Sequence, residues 1–439
     1  METSDSVVSI KKDPFRWVML AFVTLMNFFL VGFTTQSLAF LLAPISEEMV
    51  WDAGQRAAIA TAMSAGMVWF IFLAGVIMDK ISVKKVIVAS IAVSGALVAL
   101  RAQADGFTFF FAIMFLFGIT IAFFTPADAK TVGLWFDREE LPLANGIIMA
   151  ATPLGMFTAN MLTGQLTDVL GGWRAMYTTV GIIGVVLAVA FLIVGKNKKS
   201  EDASLTSDIL TKDDLGIWKN IKGIVKMPIV WIFCLANIFA IGTLQAAAVW
   251  GNFVFSQDPR WGLSDVVAGY IPAFANFATL LSFIFLPMIL KKLKALKYYM
   301  KLAIICGFIT AGLNFIGHVV YSFPVIALTM TFTGLMGGIY LAAPRVLMLQ
   351  LPEVSGPRAG TAMGIFLTLE RLGITIFAAL LGFLFALPNA HYSVMLGTYY
   401  LMQALSPVLL IIAAVIIKKR VQRMRQEQLE KRKKSKEQV

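Results

Sequence analysis

Long apolar runs recur along the whole chain, and they restrict the fold more than any other feature. A helix that crosses a bilayer takes about 20 predominantly apolar residues. In hydrocarbon, backbone polar groups must be satisfied within their own segment, so runs of this length form helices rather than barrel strands. The sequence therefore predicts an all-α membrane protein with twelve transmembrane helices. We expect them at 17–43, 55–78, 86–101, 107–135, 143–167, 174–195, 228–255, 264–290, 298–317, 324–350, 359–385 and 393–417.

The composition excludes a soluble globular protein. Of 439 residues, 59% are hydrophobic and only 14% are charged, whereas soluble domains carry about 25% charged residues. The first residues are polar, which predicts no removable signal peptide. Cys234 and Cys306 fall within apolar runs and are expected to be buried, inert thiols. His318 and His391 are predicted in external loops, and no metal-ligand or catalytic spacing is present, so we expect no cofactor and no enzymatic activity.

The basic residues predict how the chain is oriented. Cytoplasmic loops of membrane proteins carry an excess of Lys and Arg, and nearly all loop cations fall on one side of the predicted helices. The exceptions are Arg56, Arg101, Arg174 and Arg260. Both termini are therefore expected in the cytoplasm. This asymmetry accounts for the net charge of +12 without nucleic acid, and the basic tail 418–439 is expected near anionic lipid.

The chain divides near its middle into two related parts. A polar connector, 196–226, separates a six-helix bundle at 1–195 from a second at 227–417, and a short amphipathic helix is expected around 217–225. Several residues match between the bundles at two constant offsets, 210 positions for the first three pairs below and 218 positions for the other five. They are Asn27 with Asn237, Phe29 with Phe239, Gly32 with Gly242, Pro126 with Pro344, Ala144 with Ala362, Gly146 with Gly364, Leu154 with Leu372 and Gly155 with Gly373. Such duplicated halves are typical of secondary transporters, whose substrate site lies between the halves.

Five charged residues lie inside the apolar runs and are the first candidates for function, because a charge at the bilayer centre costs at least about 2.5–3.5 kcal/mol. Arg371 lies near the middle of its helix and suits an anionic ligand or a structural acid partner. The adjacent Glu370 is expected to point away from Arg371, either as a proton-coupling site or as compensation for a base. Asp128 is a second candidate for proton coupling or for pairing with Arg345. Lys130 and Arg345 lie nearer the cytoplasmic ends of their helices, and we also count Arg345 among the substrate ligands.

Polar side chains on the first and seventh helices complete the predicted substrate site. Each alone can simply bond its own backbone, but together they suit a small polar ligand. The set comprises Thr35, Gln36, Gln245, Trp250 and Asn252.

A charged cluster between the second and third helices carries a family resemblance. The spacing of Gly75, Asp79, Lys80, Lys84 and Lys85 resembles the signature loop of the major facilitator superfamily, on the predicted cytoplasmic side. The stretches "KTVGLWFDREELPLANGI" and "LPEVSGPRAGTAMGI" are similar to two further connections of that family, in the style of its organic-anion and sugar-phosphate-permease-like branches. The resemblance implies that the acid of this loop closes the cytoplasmic gate and pairs with a base at the position of Lys130. The lysines also satisfy the topology rule without a gating role.

The sequence therefore predicts a transporter that moves a small organic anion by alternating access. The anion would be a mono- or dicarboxylate, and the mode proton symport or anion exchange. The alternative is proton-coupled efflux of amphipathic, drug-like compounds, in which Arg371 could be neutralised with little loss. Expected partners are the substrate, protons or a counter-anion, and membrane lipids, with no nucleic acid. We expect a monomer in the plasma membrane of a prokaryote.

Overall fold

The computed structural model describes residues 13–78, 81–137, 140–197, 222–292, 296–351, 354, 359–387 and 391–437. In these ranges, twelve long helices follow one another and no strand occurs. We label them α1 (Phe15–Glu48), α2 (Ala53–Met78), α3 (Val83–Arg101), α4 (Phe107–Trp135), α5 (Leu141–Leu170), α6 (Trp173–Val194), α7 (Pro228–Gln257), α8 (Asp265–Lys292), α9 (Leu296–Val319), α10 (Phe323–Leu349), α11 (Ala359–Phe385) and α12 (392–437).

The all-helical class predicted from the sequence is confirmed. Among the described residues, eleven helices are long and apolar enough to cross a membrane. The 26-residue α2 is not one of these eleven. α12 continues as a helix to Glu437, so the described part of the basic tail extends the last helix beyond the predicted membrane segment 393–417. Most of the connector between the bundles lies outside the described residues; its described end is helical at 222–225.

Helices α1 and α7, which correspond to each other in the two bundles, contain π-helical turns at related positions. The turn in α1 covers Asn27–Phe33 and the turn in α7 covers Ile238–Gly242. Each wide turn packs closely against a glycine of a neighbouring helix. A Cβ atom on Gly155 would lie 3.0 Å from the Cα atom of Gly32, and one on Gly242 would lie 3.3 Å from the carbonyl carbon of Gly373. The glycines that match between the two bundles in sequence therefore permit the same close helix contact in each.

The two bundles contact each other toward one face. Successive helices within each bundle run antiparallel. Asn252 in the second half of α7 and Gln36 in the second half of α1 both meet Asn160 in the second half of α5. The odd-numbered helices of both bundles therefore begin at one face, here called the N face, and end at the far face. From the middle of the protein to the far face, Thr375 donates a hydrogen bond to Ser64 at 2.9 Å, and Asn252 donates to Asn160 at 3.1 Å. Polar contacts between buried or half-buried side chains therefore join the bundles in this region.

Toward the N face the bundles are separated by a wide crevice. The aromatic rings of Phe157 on α5 and Phe277 on α8 are 5.3 Å apart and mark its upper limit. Below them, apolar side chains of α1, α5 and α8 line a space of about 1,100 Å³. The two bundles are thus joined by polar contacts toward the far face and enclose the crevice in the half nearer the N face.

Two polar residues near helix ends are fully buried. His318, expected in an external loop, lies within a helix, so that prediction is wrong. Arg101 is the last residue of α3 and is fully buried. Its guanidinium carbon lies 4.7 Å from the ring centre of Phe117 and 5.2 Å from that of Tyr177, and these rings offset part of the cost of burial. His318 is fully buried in α9, where its Nδ1 atom is 2.7 Å from the carbonyl oxygen of Asn314. Cys234 and Cys306 are buried and free, as expected.

A buried carboxylate at the far face ties the ends of α7 and α12 together. Asp258 is 2% exposed and accepts hydrogen bonds from the Arg260 side chain at 2.8 and 2.9 Å and from the backbone N–H of Ser393 at 3.1 Å. Burial alone would raise the pKa of the Asp258 carboxyl, but these hydrogen bonds together bring it below its ordinary value.

We expect Asp258→Asn to destabilise the protein by about 1.5–3 kcal/mol at neutral pH, because bonds to a charged acceptor are lost. A carboxyl whose pKa is lowered by folding stabilises the native state above its unfolded pKa of about 3.9. This stabilisation disappears as the pH falls through the lower folded-state pKa. Thermal unfolding in detergent should therefore show a lower melting temperature for Asp258→Asn than for the unmodified protein at pH 7, and this difference should become smaller at strongly acidic pH. The matched change of the exposed Asp105 to Asn should have little effect at either pH.

Candidate functional site

A small cavity lies between the two bundles and is lined by α1, α2, α4, α7 and α11. Its volume is about 60 Å³. Three of the side chains that the sequence suggested for substrate binding meet here from different helices: Thr35 from α1, Gln245 from α7 and Arg371 from α11. Arg371, in the middle of an apolar helix, therefore lies in the wall of an internal cavity between the two bundles.

A cluster of charged and amide groups surrounds Glu370 beside this cavity. The Glu370 side chain is almost completely buried. Its Oε2 atom accepts a hydrogen bond from Asn237 at 2.9 Å and one from Arg345 at 3.4 Å. Its Oε1 atom is 3.4 Å from an Nη atom of Arg371. The expectation that Glu370 and Arg371 do not face each other is therefore wrong. Neighbours on a helix diverge by about 100°, but the long arginine side chain bends back to reach the carboxylate.

The cluster leaves hydrogen-bonding capacity on Arg371. Two guanidinium groups, those of Arg345 and Arg371, share the single carboxylate of Glu370, so one positive charge is in excess. The Nε atom of Arg371 is buried without a hydrogen-bond partner, and a quarter of its side chain is exposed. A guanidinium with a free edge binds a carboxylate through two parallel hydrogen bonds. The arrangement can therefore accept one additional carboxylate at the cavity.

The remaining predicted ligands lie outside the cavity lining. Gln36 and Asn252 both donate to the Oδ1 atom of Asn160, at 3.2 and 3.1 Å, in a buried amide cluster that joins the bundles. The indole N–H of Trp250 donates to the carbonyl oxygen of Ala378 at 3.0 Å. Arg345 instead contacts the cavity indirectly, through Glu370. These side chains therefore hold helices together in this conformation.

The second predicted proton-coupling residue has a different environment. Asp128 on α4 is buried and accepts a hydrogen bond from Asn27 at 3.0 Å. Asn27 begins the π-helical turn of α1, and its sequence counterpart Asn237 directly precedes the turn of α7. Both bundles thus hold a buried carboxylate with an asparagine from this position, although the acids lie on different helices, α4 and α11.

The charged cluster that carries the family resemblance is only partly described. Asp79 and Lys80 lie outside the described residues, and of Gly75 only its place in α2 is described. Lys84 and Lys85 occupy the first turn of α3, half-buried and exposed respectively. Lys130 lies on α4 with a half-buried side chain, and its predicted contact with Asp79 falls outside the described residues.

Comparison with known proteins assigns the chain to a family. The sequence profile of the Major Facilitator Superfamily matches residues 21–378. The chain belongs to the Major Facilitator Superfamily. Its fold is similar to that of a bacterial homologue of the human lysosomal transporter Spinster, crystallised in an inward-facing and unoccupied conformation. The TM-score is 0.66 at 15% identity, and the match covers 92% of this chain and 96% of the other.

Curated relatives within the superfamily have names that refer to organic acids. The chain is 26% identical over 172 residues to the hexuronate transporter of Bacillus subtilis (strain 168), a match that covers 39% of this chain and only 40% of the relative. It is 20% identical over 392 residues to a putative tartrate transporter of Agrobacterium vitis, with 85% and 84% of the two chains covered. The chain thus spans less than half the length of the hexuronate transporter.

Sequence reasoning missed three buried residues around the site. Asn237 was visible as a partner of Asn27 in the repeat, and this pairing was the signal that could have marked it. Asn160 carried no such signal, because its importance comes from amide groups on two other helices. Arg101 stands at the end of an apolar run, where a loop cation and a buried cation have the same sequence context.

Proposed function

We propose that the protein is a secondary transporter, and not an enzyme, that moves a small organic anion by alternating access. The observation that carries this proposal is the partly exposed side chain of Arg371 in the wall of a cavity between two repeated bundles. The names of the relatives, which refer to hexuronate and tartrate, support a mono- or dicarboxylate. Thr35 and Gln245 supply the neutral contacts.

The proposed membrane arrangement follows the sequence rules. All twelve helices, including α2, span a prokaryotic cytoplasmic membrane, both termini are cytoplasmic, and the protein acts as a monomer. The N face is then the cytoplasmic face. Contacts of Ser64 with Thr375 and of Asn160 with Asn252 close the path to the outside, and the crevice gives access from the cytoplasm. The described conformation therefore corresponds to the inward-facing state of the proposed cycle.

Glu370 supplies a route for coupling anion movement to protons. As a carboxylate it contacts Arg371 and competes with the substrate for the same guanidinium. Protonation removes its negative charge and leaves Arg371 to the substrate, so proton and anion bind together. Asp128, held by Asn27, is a second proton-binding candidate in the other bundle. Anion exchange is the alternative mode, in which a second anion replaces the first at Arg371.

Transport into proteoliposomes distinguishes the two modes. With a carboxylate gradient directed inward, symport predicts acidification of the lumen beyond that in protein-free liposomes, and Glu370→Gln should abolish the excess. Exchange predicts labelled uptake only when the lumen contains carboxylate, with no excess acidification. Absence of both signals for every small carboxylate would contradict anion transport.

Efflux of amphipathic compounds is the second candidate function, and the apolar crevice of about 1,100 Å³ favours it. Its walls from α1, α5 and α8 suit a hydrophobic ligand that enters from the bilayer. Under this hypothesis lipophilic cations stabilise the purified protein, and Arg371→Gln leaves both that stabilisation and efflux intact. Anion transport predicts stabilisation by carboxylates that this substitution removes.

A further inference from the structure

The walls of the Arg371 cavity are mostly apolar. The large apolar side chains of its lining come from α1, α2, α4, α7 and α11. They are Leu38, Leu42, Met63, Met114, Val249 and Ile374. An apolar wall favours an apolar ligand body, because burial of apolar surface is favourable while a buried hydroxyl without a partner costs roughly tenfold in affinity.

Few polar groups remain for the hydroxyls of a ligand. The Ser64 hydroxyl donates to the carbonyl oxygen of Thr61 at 2.9 Å and accepts from Thr375. The Thr35 hydroxyl is directed at the sulfur of Met63, 3.6 Å away, which is a weak acceptor. Apart from Arg371, the described lining therefore offers the Thr35 hydroxyl and the Gln245 amide. A sugar acid with a hydroxyl on every carbon would leave several of its groups unpaired here.

The charges at the cavity suit a single carboxylate. While Glu370 is a carboxylate, Arg345 and Arg371 exceed it by one positive charge, so one bound carboxylate makes the group neutral. When Glu370 is protonated, Arg345 still lies outside the described lining, so the cavity wall itself presents the charge of Arg371. Arg371 is the basic residue of the described lining. Arg101 lies in the other bundle, but it is fully buried with Phe117 and Tyr177 over its guanidinium, so it does not reach a ligand in the cavity. A second carboxylate on the ligand would have no basic partner in this lining.

The size of the cavity agrees with a short ligand. A volume of about 60 Å³ has room for roughly four to six water-sized groups. We infer that the site selects monocarboxylates with a short apolar body over dicarboxylates and polyhydroxy acids. The inference rests on the proposed anion transport and narrows its substrate class. It also separates this chain from the relatives named for hexuronate and tartrate.

Four acids with the same carbon chain test the two parts of the inference separately. Butyrate has one carboxylate and an apolar body, 2,3-dihydroxybutyrate adds two hydroxyls, succinate adds a second carboxylate, and tartrate adds both. Dissociation constants come from thermal stabilisation of the purified full-length protein at increasing ligand concentration. We expect butyrate to bind at least about tenfold more tightly than each of the others, and tartrate to bind most weakly.

The outcomes separate this inference from the proposed function. If tartrate or succinate binds as tightly as butyrate and Arg371→Gln removes that binding, anion transport stands and the inference is wrong. If 2,3-dihydroxybutyrate alone matches butyrate, the apolar selection is wrong. If no acid binds, the proposed function fails and the inference fails with it. If binding persists in Arg371→Gln, the anion site lies elsewhere and the inference about this cavity is wrong.

A substitution in the cavity wall supplies an independent test. Val249→Thr keeps the side-chain shape and adds a hydroxyl, so it should reduce the preference for butyrate over 2,3-dihydroxybutyrate by several-fold. Val249→Ala removes apolar surface without adding a polar group, so it should weaken the binding of both acids and leave the ratio of their dissociation constants close to that of the unmodified protein. An equal change in both variants, or none in Val249→Thr, would show that this wall does not select the ligand.

Discussion

Replacing Arg371 by glutamine is expected to weaken carboxylate binding by on the order of 100-fold or more. A hydrogen bond to a charged group contributes about 1.5–3 kcal/mol, and a guanidinium can donate two parallel ones to a carboxylate. Their loss therefore removes most of the affinity. Thermal stabilisation of the purified protein by butyrate measures the effect, and uptake into proteoliposomes should fall with it.

Two further variants separate charge from geometry at this position. Arg371→Lys keeps the positive charge but loses the planar fork, so we expect an intermediate loss of about tenfold. Lys222→Gln removes an exposed cation and should leave binding unchanged. If Arg371→Gln binds carboxylates as well as the unmodified protein, Arg371 is a structural charge and the anion site lies elsewhere.

Replacing Glu370 by alanine is expected to lower the free energy of unfolding by about 3–5 kcal/mol. The carboxylate lies between Arg345 and Arg371 and accepts a hydrogen bond from Asn237. Its removal leaves two cations and an amide in a largely buried region, and breaking a buried ion pair from one side has a cost of this size. Unfolding in detergent, followed by the accessibility of the buried cysteines to a thiol reagent, measures the change.

The control for this prediction is an exposed acid in the same protein. Glu47→Ala removes an exposed carboxylate whose contact with Gln257 is 3.5 Å long, and it should change stability by no more than about 0.5 kcal/mol. High chloride or butyrate should partly restore Glu370→Ala, because an added anion occupies the vacated place between the arginines. Stability equal to that of the unmodified protein would mean that Glu370 does not compensate the cations.

The positions of the helices followed from the sequence, because a long apolar run has few structural alternatives in a membrane. Arg371 was recognisable for a related reason, since no loop or helix end accounts for a cation so deep in such a run. The bend of the Arg371 side chain toward Glu370 could not be predicted from the sequence. Helix geometry gives the direction of a Cβ atom but not the conformation of a long side chain. The burial of Arg101 could not be predicted either, because the rings of Phe117 and Tyr177 that cover its guanidinium come from other helices.

Gln36 and Asn252 illustrate why polar residues of the site were harder to assign. Each is an amide in an apolar helix, a pattern compatible with a ligand contact or with a partner on another helix. Their shared acceptor, Asn160, lies on α5, so only the packing of three helices decides between these roles.

The π-helical turns of α1 and α7 have a consequence for the balance between conformers. Each bundle has one wide turn beside a close glycine contact, so each side of the cavity has a comparable place at which a helix can bend. Two conformations of the transporter can have similar free energies more readily when both bundles deform in the same way. A ligand whose affinity differs between the two conformations by a few kcal/mol then suffices to shift the population from one to the other.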